Sequence, residues 1–307
     1  MGPPGALTPA WGLPMLAPME LLGPTSHSFV SQRLRLHYAD WGNPGAPLLI
    51  LQHGGKDHCR SWDWVAAELR HDWHVIAPDL RGHGDSAWSP DADYTMAACV
   101  YDFAQLVHTM GQEQVTIIGH SLGGNIAARF AGIFPEKVRR MVNVEGLGFG
   151  RRLAAIEASP YPDKMRAWIE SRRQAAGRQP RRYATLDDAY ARMKAENSFL
   201  SDVQARHLTV HGIMRNEDGT FSWKFDNWLN ARLPLDIPVE EVRKVWAAIT
   251  CPSLLIWGKD SFFSSPADDG RLGYFQNATL LEYENAGHWL HHDQFDRFIT
   301  DVTAFLG

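Results

Sequence analysis

Cysteine is scarce: the 307 residues hold three, Cys59, Cys99 and Cys251, odd in number and scattered. They match no metal spacing and no disulfide framework, and they point to a reducing compartment in which burial accounts for each thiol. An excess of charge of one sign is also lacking. A net charge of −5 and a pI near 6.3 give no general attraction to nucleic acid or an anionic membrane. No apolar run approaches the roughly 20 residues that a membrane span needs. The first 28 residues are rich in Pro and Gly, have no basic leader region and break every apolar stretch with proline, so a secretory signal is not expected. Met1–Ala6 lacks the Ser or Thr at position six that a myristoylation site requires. No HExxH pattern and no internal repeat is present. These absences leave a cytoplasmic protein without membrane span or nucleic-acid partner, and with no cofactor or metal expected.

What is there suits a soluble globular protein: 45% hydrophobic and 21% charged residues provide ample core material. Residues 1–28 read as a loose tail, with Trp11, Leu13 and Met15 available to rest on the domain. Arg33 to Tyr38 alternates as a half-buried strand, and Leu48 to Leu51 is a continuous apolar run of the central-strand kind. Trp73 to Ala77, Val115 to Ile118 and Val138 to Val144 are further strands. Val100, Phe103, Ala104 and Val107 line one helix face between them. Strands alternating with helices predict an α/β fold with a doubly wound, mostly parallel sheet. From about Leu147 to Trp246 the strand signal disappears. Thr185–Asp188 has the form of a capping box, and Pro238 opens a helix with Val242, Val245, Trp246 and Ile249 on one stripe. The sheet pattern resumes at Ser253–Trp257 and Ala278–Tyr283, and Phe295, Phe298, Ile299, Val302 and Phe305 mark a last helix. The expected division is a core of residues 29–146 and 249–307 with a helical cap, or lid, of residues 147–248 between them.

The stretch Val115–Ala127, VTIIGHSLGGNIA, organises the rest. An apolar strand runs straight into Gly119-His120-Ser121-Leu122-Gly123, and a helix carrying Ile126, Ala127, Phe130 and Ala131 follows at once. So sharp a turn strains the serine backbone and thrusts its hydroxyl out above the helix N-terminus. Gly119 and Gly123 allow strand and helix to cross. Ser121 is therefore the candidate nucleophile. A serine needs a base, and His288 follows the last strand in a Gly-His loop that can aim an imidazole over the sheet. His53 and His83 sit in glycine turns where a histidine often only bonds backbone. For the acid that orients the base, Asp260 ends the strand after the lid, giving the chain order Ser, Asp, His. Glu145, ending the strand before the lid, is its rival, and Asp79 reads as structural. The oxyanion donors are the Leu122 amide and an amide of the His53-Gly54-Gly55 turn, namely Gly55. Gly54, His120 and Trp223 are assigned to the substrate site, although His120 should point away on the elbow.

Five motifs in order, HGG, DLRGHGDS, GHSLGG, WGKD and AGHW, resemble the α/β-hydrolase superfamily over residues 30–307. Within it, the chain is similar to capped serine hydrolases, the esterase-like branch that also holds carbon–carbon bond hydrolases and cofactor-free haloperoxidases. The lid stretch Gly219–Asp226 resembles a segment seen in that branch. The resemblance implies Ser121, Asp260 and His288 as a triad. It argues against epoxide hydrolases and haloalkane dehalogenases, which carry Asp at the nucleophile position. The expected substrate is a small-to-medium carboxylic ester cleaved through an acyl-serine, with a thioester, a carbon–carbon bond or a receptor's ligand as alternatives; oligomeric state is left open. Two patterns compete with this reading. His288, His291, His292 and Asp293 lie close together, but helix capping plus one working histidine explains them better than a metal. Residues 151–182 hold nine basic side chains, usually a solvated helix face but able to attract an anionic substrate. Trp168, Trp223, Trp228 and Trp246 suit an apolar acyl pocket or simple core packing.

Overall fold

A computed structural model describes residues 23–148, 158–231 and 237–307. Trp11, Leu13 and Met15 of the tail, and Arg151 and Arg152 of the basic run, lie outside the described residues. Eight strands form one sheet: β1 (Thr25–Ser31), β2 (Leu34–Asp40), β3 (Leu48–Gln52), β4 (His74–Pro78), β5 (Val115–His120), β6 (Val138–Val144), β9 (Ser253–Gly258) and β10 (Ala278–Tyr283). Their spatial order is β1-β2-β4-β3-β5-β6-β9-β10. The six from β4 to β10 are parallel, while β1 and β2 join antiparallel at one edge. β1 begins inside the stretch read as tail. Only Phe29 and Ser31 of its seven residues are buried, so a mostly exposed edge strand gives little hydrophobic pattern to read.

The central strands bury both faces. Ile50, Ile117, Met141 and Leu255 face one apolar layer, and Leu49, Leu51, Ile118, Val142 and Leu254 face the other. This is why they read as unbroken apolar runs rather than as alternation. Helices α2 (Met96–Met110) and α3 (Leu122–Ile133) cover the first face. The second is covered by α1 (Asp63–Leu69) and the C-terminal helix Phe295–Leu306, whose Phe298, Val302 and Leu306 are buried.

Between β6 and β9 the chain forms an insert of α4 (Tyr161–Ala176), α5 (Leu186–Glu196) and α6 (Asp202–Gly212). The capping box at Thr185–Asp188 is formed, and Ser201 with Gln204 makes a second one. Two features depart from the expected all-helical lid. β7 (Ile213–Arg215) pairs with β8 (Phe221–Trp223) as a hairpin, its turn closed at Gly219 with φ +86°. Strands of three residues are too short for any period to register. In addition, α7 (Val239–Ala247) packs with the core: Trp246 lies over Phe275, and the Val245 carbonyl sits where a side chain at Gly132 would go.

The insert is tied to the core at many points. The Tyr94 hydroxyl donates to Asp226, the Asp226 amide to the Gly82 carbonyl (2.9 Å), His58 Nε2 to the Leu208 carbonyl (3.0 Å), and Lys224 pairs with Asp85 (2.8 Å). Asp79 is structural, as expected: it accepts from the Cys59 and Asp85 amides and from His37 Nδ1. Burial alone raises a carboxyl's pKa, but the His37 hydrogen bond and the nearby His53 hold Asp79 far below the usual range.

The crossing of β5 and α3 is tight. A Cβ at Gly123 would lie 2.3 Å from the Gln52 carbonyl oxygen, and one at Gly119 would lie 2.7 Å from the Gly123 oxygen. Both obstacles are backbone and cannot swing aside. Gly123→Ala is expected to destabilise the protein by about 3 kcal/mol or more through overpacking. Gly45→Ala, with open space around it, is expected to stay within about 0.5 kcal/mol. Urea midpoints of the two variants compare them directly, and equal midpoints would mean that the crossing is not close.

Candidate active site

Ser121 is the N-cap of α3 and has φ +53° and ψ −115°, a conformation that costs of order 1–3 kcal/mol for a residue with a Cβ. Two hydrogen bonds hold it there: its amide donates to the Val144 carbonyl (2.8 Å), and its carbonyl accepts from the Asn125 amide (3.0 Å). Leu122 is the first residue of the helix, so its N–H has no partner within α3. The HGG turn passes directly over the elbow. A Cβ at Gly54 would lie 3.1 Å from Ser121 Cβ and 3.0 Å from His120 Nδ1, a crowded approach that favours glycine, and Gly55 beside it is exposed. Gly54 thus brings the HGG loop against Ser121.

The carboxylate that meets His288 is not the expected Asp260. His288 Nδ1 lies 2.6 Å from Glu145 Oε2, and Glu145 is buried at the end of β6. The second carboxylate oxygen accepts the Gly258 amide (2.8 Å), and Oε2 also accepts the Ser261 hydroxyl (2.6 Å). Asp260 is exposed; its amide bonds the Ala286 carbonyl, and its side chain takes no part in this contact. The physical reason is local. Glu145 adopts φ +51°, which turns it across the neighbouring end of β9, where Gly258 offers an N–H and no side chain. A carboxylate is an acceptor only, so His288 carries its proton on Nδ1 and leaves a lone pair on Nε2.

His120 is not a substrate-facing residue. It is buried and its Nε2 donates to the His288 carbonyl (2.9 Å), with the two rings 4.6 Å apart. It therefore sets the backbone of the loop that carries the imidazole, a role the pattern GHSLGG did not reveal. Behind it the rings of His291 and His292 continue the stack at 4.7 and 4.3 Å, and Trp62 lies over His291 at 4.6 Å. Burial lowers the pKa of all three histidines, His120 and His291 well below the usual value and His292 to about 4. All three are neutral at pH 7. Asp293 accepts the Gly287 amide (2.8 Å) and steadies the same loop; burial pushes its pKa up to about 6 despite that bond.

Phe262 and Phe263 flank His288 at 4.8 and 4.9 Å. Beside them a hollow of about 280 Å³ is lined by Phe199, Phe262, His288 and Trp289, with the carboxylates Glu196, Asp260 and Asp293. A larger groove of about 520 Å³ lies between α2 and α3 around Val107, Phe130 and Phe134, at the end of α3 remote from Ser121. Trp223 bonds Tyr183 (3.0 Å) within the insert and lines neither space. Of the basic run, Arg172 donates to the Asp91 carbonyl (2.7 Å) and lies over Trp168 and Trp228, while Arg166, Arg173 and Arg182 pair with Asp163, Glu170 and Asp218.

A family profile described as alpha/beta hydrolase fold matches residues 47–295. The chain belongs to the α/β-hydrolase family. Its similarity extends to a serine hydrolase-like protein of Danio rerio, 29% identical over 87% of this chain and 83% of the relative. Epoxide hydrolase 4 of Mus musculus is 25% identical over 89% of this chain and 76% of its own length. The sn-1-specific diacylglycerol lipase ABHD11 of Mus musculus is 27% identical over 86% and 82%. The fold and the hydrolase relatives agree with the superfamily expected from the five motifs.

Proposed function

We propose that this α/β-hydrolase cleaves a neutral carboxylic ester by way of an acyl-enzyme on Ser121. In this reading His288 Nε2 takes the serine proton as the hydroxyl attacks the ester carbonyl. The Leu122 and Gly55 amides hold the oxyanion as the tetrahedral centre forms, and His288 then protonates the departing alcohol. Water, activated by the same imidazole, releases the acid. Glu145 keeps His288 in the required tautomer and stabilises it when it is charged. The residues between β6 and β9 act as the lid. The observations that carry the reading are the Glu145–His288 hydrogen bond at 2.6 Å and the strained elbow that holds Ser121.

The relatives supply both an ester-cleaving name, the diacylglycerol lipase, and an epoxide hydrolase. Serine rather than aspartate at the elbow supports the ester side. A neutral substrate is favoured over an anionic thioester or dicarboxylate because three carboxylates and no Lys or Arg line the hollow beside His288, while Arg172 is already engaged with Asp91. Reaction with a fluorophosphonate, followed by peptide mass mapping, tests the assignment. Label is expected on Ser121, together with faster turnover of neutral than of anionic aryl esters. Label on another serine, or binding of esters with no turnover, would remove the enzyme reading and leave that of a ligand receptor.

A further inference from the structure

Away from Ser121, one seam between insert and core gathers groups that the hydrolytic reading does not use. α6 carries His207 and His211 four residues apart, hence on the same face one turn along the helix. They meet Asp63, buried at the start of α1. His207 Nε2 is 3.0 Å from Asp63 Oδ2, the two imidazole centres are 4.5 Å apart, and one ligand atom from each of the three residues lies within 4.8 Å of the others. From this geometry we infer that Asp63, His207 and His211 form a site for a divalent transition-metal ion of the Zn²⁺ class, which pins the insert to the core.

The donor set suits that ion. Two imidazoles at i and i+4 on one helix are the pair with which a helix chelates zinc, and a carboxylate completes a three-ligand site with room for water as the fourth. Zinc bonds these donors at about 2.0–2.2 Å, so the three atoms must draw together by roughly an ångström. Both histidines are half-buried, and the contacts an ion would replace are weak ones to Arg60, whose carbonyl lies 3.2 Å from His207 Nε2 and whose Nη1 lies 3.4 Å from His211 Nδ1. The ion would bind His207 Nε2, the atom that now meets Asp63, with the neutral ring in the tautomer that carries its proton on Nδ1. It would also displace the Arg60 guanidinium, which pairs with Asp63 at 2.6 Å; that side chain is 28% exposed and has solvent to move into. A second cluster, His37, Cys59 and Asp79, is wholly buried. Its carboxylate is held by the Cys59 and Asp85 amides and by buried His37, partners that, unlike Arg60, cannot swing into solvent to admit an ion.

The site joins α6 of the insert to the segment that follows the HGG turn, so an occupant cross-links two parts of the chain about 150 residues apart in sequence, the span of the His58–Leu208 hydrogen bond. It touches none of Ser121, His288 or Glu145, and ester turnover is expected to survive EDTA. Isothermal titration of the full chain with ZnCl₂, stripped beforehand with EDTA, is expected to show one equivalent bound. At a hundredfold excess over Kd the melting temperature is expected to rise by roughly 5–10 °C. His211→Gln and the double change His207→Ala/His211→Ala are expected to abolish both the binding and the shift, while ester turnover and the metal-free melting temperature of His211→Gln stay near those of the unaltered protein. Zinc bound equally well by His211→Gln, or bound with no rise in melting temperature, would overturn the proposal. Optical spectra with Co²⁺ in place of zinc give a readout that does not depend on stability: a tetrahedral absorption band lost in His211→Gln is expected, and its absence from the unaltered protein would count equally against the site.

Discussion

Ser121→Ala is expected to lower ester turnover by about six powers of ten, His288→Ala by a similar factor, and the double variant by no more than either alone. The reason is that the hydroxyl and the imidazole act as one unit: without the base the serine is not a nucleophile, and without the serine the base has nothing to deprotonate in the first step. What survives in each variant is the contribution of the oxyanion amides and of substrate positioning, which remains above the rate in water. KM is expected to change little, because neither group is needed to bind an ester in its ground state. Single-turnover rates of a neutral aryl ester, measured on the three variants after active-site titration, check this. Losses that multiply in the double variant would show two independent contributions and would undo the acyl-serine scheme.

The elbow was legible in the sequence because everything that makes it is short-range. A buried strand, two glycines at the crossing and a helix within 13 residues leave Ser121 one conformation, and the observed φ of +53° is that conformation. His288 was legible for a related reason, lying in a Gly-His loop that follows the last strand. The sheet was readable wherever strands are buried on both faces, as in β3, β5 and β9, whose residues are all buried. It was unreadable at β1, which is mostly wet, and at β7 and β8, which have three residues each. The packing of α7 on α3 was hidden too, since its apolar stripe says that a partner exists and not which one. The same holds for Trp223: an aromatic residue in the insert suits a pocket or a small core, and here it packs against Tyr183.

The carboxylate that meets His288 was the hardest residue to read, and its test is the sharpest. β6 and β9 are parallel neighbours, Val144 opposite Ile256, so Glu145 and Asp260 leave the sheet at the same edge, and the chain order of nucleophile, acid and base fits either one. What separates them is a backbone turn at Glu145 and three donors converging on its carboxylate, from Gly258, Ser261 and His288. Neither leaves a period or a motif, although the serine one residue after Asp260 was a usable hint. Glu145→Gln is expected to cut turnover by about three to four powers of ten, because the amide no longer holds the tautomer with its proton on Nδ1 or stabilises the charged ring. Asp260→Asn is expected to stay within a few-fold of the unaltered enzyme, its carboxylate being exposed and apart from the imidazole. KM should hold roughly constant in Glu145→Gln while kcat falls, since the lost interaction strengthens as His288 gains its proton in the transition state. Were Asp260→Asn the crippled variant and Glu145→Gln the active one, the loop carrying Asp260 would have to close over His288 during turnover, and the acid would return to the strand after the lid.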